Sequence, residues 1–366
     1  MTKLRGMTWD HPRAIDPLLA LSKAWRDTHG DEITWEKRSL QDFESYPVED
    51  LARNFDLIVI DHPHVGQVTG EGCLLALPDA PEIAEGSVGG SFESYTYEGK
   101  QWAWPIDAAA QVQAVRPDLT GPLTSWDDVM DLARQGRVAI PLRPPHSLMS
   151  FFTLTANLGF PCRTGKGEVF CDRRGAVRAL EMLKELADLV DPCCFDQDPI
   201  AVLDEMTSTD AIACAPLIYG YISYAIPGMR PSRVTFHDIA STGSGVGGSA
   251  LGGTGIAVSA FCEAPEAAVA FARHIAGPEA QAGLYVSAGG QAGHRAGWTD
   301  RAADDAAGGF YSGTLATLDG AWMRPRHDGY MPFQQAAAER IGQSLKDGQI
   351  EAALDDLDRM FTESFG

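Results

Sequence analysis

Asp56-Leu57-Ile58-Val59-Ile60-Asp61 sets four consecutive aliphatic side chains between two carboxylates. A strand with one wet face alternates apolar and polar residues. An unbroken aliphatic run of strand length predicts a strand covered on both faces, as in a parallel sheet. The residues before it fit that reading. Residues 4–8 predict a short strand, and Ile15, Leu18, Leu19, Ser22 and Trp25 recur at the helical period, with Asp16 as N-cap and Pro17 as first helical residue. Residues 33–37 alternate as a half-buried strand, and 48–54 predict a short helix. The order β-α-β-α-β predicts an α/β unit with a parallel sheet and helices on both faces.

The rhythm changes at Trp104-Pro105-Ile106-Asp107. Beyond it, 110–115 and 138–140 predict strands, and Ser125-Trp126-Asp127-Asp128 is a capping-box helix start. A long helix over 173–190, a shorter one from Pro199 and a strand over 211–215 follow. Next comes the aromatic run Leu217-Ile218-Tyr219-Gly220-Tyr221-Ile222-Ser223-Tyr224. This is a second α/β unit with its own core. Residues 241–255 hold seven glycines and no charge, which predicts a loop before a strand at 256–259. Helices over 265–276, 278–286, 329–346 and 351–365 close the chain, and no internal repeat is visible.

At 366 residues the chain has room for two or three domains, and 45% hydrophobic with 22% charged residues is the composition of a folded protein. Fifty acidic against 29 basic residues give a net charge of −21, which argues against tracking nucleic-acid phosphates or docking on anionic lipid. No apolar run is long enough for a transmembrane helix. Met1-Thr2-Lys3-Leu4-Arg5-Gly6-Met7-Thr8-Trp9-Asp10 lacks the apolar core of a secretory signal, so a signal is absent from this chain as written. The seven cysteines include no C-x-x-C. Cys162 and Cys171 flank Thr164-Gly165-Lys166-Gly167 and could pair in an oxidising compartment, although buried thiols are the favoured reading.

Gly243-Ser244-Gly245-Val246-Gly247-Gly248 matches G-x-G-x-x-G, but it leads into more glycine and a strand instead of opening a helix, so a nucleotide site is not expected. No P-loop, nucleophile elbow or H-E-x-x-H is present, and no cofactor, metal or catalytic residue is expected. Asp61-His62-Pro63-His64 carries ligand-like chemistry for a divalent metal. Its place at the carboxyl end of a parallel strand favours lining a ligand cleft instead. By the same edge rule Trp9, Asp10 and His11, after the first strand, face that cleft together with Asp61 and His62. The aromatics Trp9, Trp102, Trp104, Tyr219, Tyr221, Tyr224 and Trp322 fall mostly at strand ends or turns, where rings stack on flat ligands.

Several segments together resemble the bacterial extracellular solute-binding proteins of family 1, the capture components of ABC importers. They are Leu251-Gly252-Gly253-Thr254-Gly255-Ile256-Ala257-Val258-Ser259, Pro265-Glu266-Ala267-Ala268, Pro278-Glu279-Ala280-Gln281, Ser287-Ala288-Gly289-Gly290-Gln291, and Ala321-Trp322-Met323-Arg324-Pro325-Arg326 with Gly329-Tyr330. The resemblance implies a periplasmic-binding-protein-like fold of type II: two discontinuous α/β lobes joined by a hinge, with the ligand cleft between them. Lobe 1 would take 1–107 and 252–310, and lobe 2 would take 108–251 and 311–366. It further implies a monomeric, non-enzymatic protein that closes on a small solute, carbohydrate-like first and organic acid second. The partner would be an ABC permease if the chain is exported, and the location periplasmic. The alternative is a cytoplasmic enzyme or ligand sensor on the same fold. Asp107 at the crossing, Tyr219, Tyr221, Trp322 and Arg324 complete the expected ligand-binding set. Arg324 is preferred to Arg326, against the competing reading that both arginines pair with carboxylates across the lobes. Asp61→Ala is expected to weaken binding while leaving the ligand-free melting temperature nearly unchanged.

Overall fold

The protein is described by a computed structural model that covers residues 1–39 and 47–366. Its strands are β1 (Lys3–Trp9), β2 (Glu32–Arg38), β3 (Leu57–Asp61), β4 (Thr96–Tyr97) and β5 (Lys100–Gln101). The second group is β6 (Trp104–Val115), β7 (Cys214–Tyr219), β8 (Thr235–His237) and β9 (Leu251–Val258). The main sheet runs β2-β1-β3-β9-β6-β7, with β8 also on β6 and β4–β5 a separate ribbon. β1 is parallel to β2 and β3, as the α/β order requires, whereas β9 runs antiparallel between β3 and β6. The principal helices are α1 (Pro12–His29), α2 (His146–Asn157), α3 (Arg173–Ala187), α4 (Pro265–Ala276), α5 (Tyr330–Asp347) and α6 (Ile350–Glu363).

Two hydrophobic cores define two lobes. The first gathers Leu4, Leu18, Leu57 and Ile58 with Ile256, Phe271 and Tyr285 from far along the chain. The second gathers Val112, Phe151, Leu183 and Ile218 with Ile341 and Leu354. β6 and β9 belong to both. Trp104 and Ile106 pack in the first core and Ala108 onward in the second, while Leu251 packs in the second and Ile256 in the first. The hydrogen-bonded ladder is continuous through β6, so the lobes are separate in their cores and not in their sheets. Residues 292–310, grouped by sequence with lobe 1, contribute Ala292, Trp298, Ala307 and Phe310 to the second core.

Several local expectations differ from the structure, each for a packing reason. α1 begins at Pro12, not Pro17: His11 is the N-cap, its Nδ1 accepting the Arg13 amide at 3.2 Å, and Pro17 lies inside the helix on its buried face. The strand expected at 110–115 starts at Trp104, because β9 is there to pair with it. The strand expected at 211–215 runs instead over Cys214–Tyr219, and 138–140 forms only a bridge from Val138 to Cys214. Helix α2 was not anticipated; nearly all of it is buried, so no polar stripe betrays its period. The expected loop at 241–255 ends early, and its last glycines are strand. A Cβ on Gly252 would stand 2.6 Å from a Tyr219 ring carbon and one on Gly255 2.8 Å from Tyr95, so the missing side chains admit two rings against the sheet. All seven cysteines are free thiols, Cys162 and Cys171 buried among them.

Candidate functional site

Strand register builds the floor of the site. Thr254 of β9 pairs with Asp61 of β3 on one side and with Asp107 of β6 on the other. Directly opposed residues on neighbouring strands share a face, so the two carboxylates flank the threonine hydroxyl in one row. A register irregularity between Pro105 and Asp107 aims Asp107 into this row.

An arginine meets each carboxylate. Arg324 arrives on an extended segment held to the second lobe, where Trp322 N–H donates to Ser249 at 2.7 Å and Leu251 N–H donates to Trp322 at 2.8 Å. Its Nη2 donates to both Asp61 oxygens at 2.8 and 2.7 Å, its Nη1 to Gln334 Oε1 of α5 at 3.0 Å, and its Nε to the Leu251 carbonyl at 3.2 Å. Burial alone would raise the Asp61 pKa, but Arg324 and the neighbouring His62 hold it far below the usual carboxylate range. Arg13, in the first turn of α1, donates from Nε to Asp107 Oδ2 at 2.7 Å and from Nη2 to Oδ1. Its Nη1 donates to the Gly220 carbonyl of the second lobe at 2.7 Å, and its guanidinium lies 4.8 Å from the Tyr221 ring centre. The side chains of Arg13, Asp107 and Arg324 are each 5% exposed or less.

Above this row lies a cleft that is partly open to solvent. Trp9, Tyr219 and Tyr221 supply aromatic walls, His146 and Met149 of α2 and Met331 and Gln334 of α5 the second lobe's side, and Gly252, Gly253 and Thr254 the floor. His146 Nδ1 and Thr254 Oγ1 are buried without a hydrogen-bond partner. Burial, opposed by Asp198, brings the His146 pKa down to about 4, so its ring is neutral at pH 7.

Of the residues expected at a ligand, Trp9, Asp61, Tyr219, Tyr221 and Arg324 line this cleft. Asp107 is fully buried beneath Arg13. Asp10 is exposed and pairs with Lys37 at 2.7 Å. His11 caps α1, with its ring 4.8 Å from Tyr221 and its pKa lowered by burial to about 3. His62 is buried behind Asp61, its Nδ1 3.2 Å from Oδ1. Trp322 packs on Phe152 of α2 at 4.8 Å between ring centres, away from the cleft. Arg326 is directed elsewhere: its Nη1 donates to the carbonyls of Glu93, Ser94 and Thr96 in the first lobe. Sequence reasoning missed Arg13, His146, Thr254 and Gln334. Only Thr254 carried a signal, a hydroxyl within a glycine-rich strand. Among the described residues no group of three His, Cys, Asp or Glu could hold a metal ion, and no helix is long and apolar enough to cross a membrane.

A family model described as "Bacterial extracellular solute-binding protein" matches residues 48–306. No curated protein matches the chain. Many solved structures share the fold. A maltose-bound MalE3 of T. maritima superposes with a TM-score of 0.84 at 15% identity, covering 99% of this chain and 100% of that one. The maltotriose-bound maltotriose binding protein of Thermus thermophilus gives 0.79 at 15%, covering all of both chains. An ABC transporter solute binding protein of Agrobacterium radiobacter K84 in complex with ribitol gives 0.77 at 18%, covering 99% and 98%. At these identities the likeness is one of fold.

Proposed function

The chain belongs to the bacterial extracellular solute-binding proteins, and we propose that it captures a neutral, polyhydroxylated solute, a sugar or polyol, for an ABC permease outside the cytoplasmic membrane. One observation carries the choice of solute. Both guanidinium groups of the cleft are already matched by carboxylates, Arg324 by Asp61 and Arg13 by Asp107, while the buried groups left without partners, Thr254 Oγ1 and His146 Nδ1, are uncharged. A neutral site that pairs hydroxyls costs less to fill with hydroxyls than with a carboxylate, which would have to displace Asp61 or Asp107 from a buried pair. Aromatic walls suit the apolar face of a sugar ring. Solved structures of the same fold with maltose, maltotriose and ribitol support the reading.

Closure then follows from the way the lobes are joined. β6 and β9 cross between the cores, and a solute touching both lobes favours the closed form by the contacts it makes only there. A thermal-shift and calorimetric screen of neutral sugars and polyols against gluconate, malate and citrate tests the proposal. Neutral compounds are expected to raise the melting temperature, by about 2.7 kcal/mol of stabilisation at a hundredfold excess over Kd. Tight binding of an acid with none of the neutral compounds overturns it.

A further inference from the structure

Resting on that reading of the cleft, we infer that it accepts one sugar ring, or one acyclic polyol of similar length, and excludes linked rings. The floor sets the length. Asp61 and Asp107 flank the same threonine from its two sides, so their Cα atoms stand two strand spacings apart, roughly 10 Å. Each end of that span is filled by a guanidinium, Arg324 over Asp61 and Arg13 over Asp107. What remains between them is the place of one ring with its hydroxyls, with Thr254 Oγ1 beneath it and no partner within the protein.

The end walls are fixed. Arg324 binds Asp61 in the first lobe and both Gln334 and the Leu251 carbonyl in the second. Arg13, carried by the first lobe, binds the Gly220 carbonyl of the second. Surface arginines swing aside for a longer ligand at little cost, but these are 5% and 4% exposed and hold carboxylates that would be left buried and charged. A second ring laid along this row has to pass one of them. The unpartnered His146 Nδ1, in a residue 4% exposed, adds a second hydrogen-bonding group from the opposite lobe. A single solute thereby satisfies one orphan group on each side.

Calorimetry on the full chain with ribitol, D-xylose, D-glucose, maltose and maltotriose tests this, with gluconate as the charged control. At least one of the first three is expected to bind, with maltose and maltotriose at least about a hundredfold weaker. Thr254→Val, nearly isosteric but without the hydroxyl, is expected to weaken that binding about tenfold. Thr254→Ala takes its place should the valine variant not fold. Tighter binding of maltose or maltotriose than of every single-unit probe overturns the length limit and leaves the neutral-solute reading standing. Unchanged affinity in a folded Thr254 variant overturns the assignment of the floor. Binding of gluconate alone, or of no probe, overturns both.

Discussion

Arg324 and Asp61 meet across the two lobes, one guanidinium nitrogen within 2.8 Å of both carboxylate oxygens, although 263 residues separate them in the chain. The Arg324 side chain is 4% exposed and that of Asp61 19%, so the pair is shielded from the screening that makes surface pairs weak. It forms one end wall of the cleft and one of the ties between the lobes.

Removing Asp61 therefore does more than remove a ligand contact. Asp61→Ala leaves a buried guanidinium without its counter-charge and is expected to cost about 3–5 kcal/mol of ligand-free stability. This revises the expectation from sequence that the ligand-free melting temperature would stay nearly unchanged. Replacing both partners by apolar residues, Asp61→Leu with Arg324→Met, is expected to cost less than Asp61→Ala alone. Urea unfolding of the three chains gives the comparison, and a single variant as stable as the parent would mean the pair is not formed in solution.

Arg13→Lys keeps the charge but loses the fork that holds Asp107 and the Gly220 carbonyl together. The tie from α1 to the second lobe should fail first. Amide exchange near Gly220 and Tyr221 is expected to accelerate while the strands of the first core keep their protection. Exchange unchanged at Gly220 would show that the lobes do not depend on Arg13.

Gly253 has φ +98°, and a Cβ there would stand 2.3 Å from the Asp107 carbonyl oxygen; Gly30 has φ +79° with nothing within 4 Å. Gly30→Ala is expected to cost about 1–2 kcal/mol, the left-handed strain alone. Gly253→Ala adds a collision with the backbone of β6 and is expected to cost clearly more, or to prevent folding. Equal melting temperatures for the two variants would contradict the pairing of β9 with β6.

Acid should destabilise the protein well before its carboxylates titrate. Burial brings His62 and His146 down to about 4 and His11 to about 3, with Arg324 adding to the effect at His62 and Arg13 at His11. These rings are neutral when folded but take up protons near pH 6.5 when unfolded. Stability is therefore complete above that pH and falls as pH drops through it, by about 1.4 kcal/mol per pH unit for each histidine. The loss continues to about pH 4 for His62 and His146, and to about pH 3 for His11. Asp61, held low by Arg324, adds to the loss only below the ordinary carboxylate range. Melting temperatures at pH 7.5, 6 and 5 read the slope, and a flat profile would place these rings in contact with water.

The local order of the sequence determined that the first unit is a parallel α/β sheet, because the aliphatic run at 57–60 is too continuous for a half-exposed strand. It also brought Trp9 and Asp61 to one edge, since parallel strands present their carboxyl ends together. A resemblance spread over distant segments determined the two-lobe plan. Tertiary structure alone decided which groups face one another. Thr254 stands between Asp61 and Asp107 only because β9 returns antiparallel between β3 and β6, a register set by contacts across 193 and 147 residues that no local propensity encodes. The same return turned a glycine-rich loop into strand, because Tyr219 and Tyr95 need the space that side chains would fill. It also decided the fate of the arginines. Pro325 disfavours a helix at Arg324, but whether Arg324 was free for a ligand or held by a carboxylate depended on where the other lobe placed Asp61.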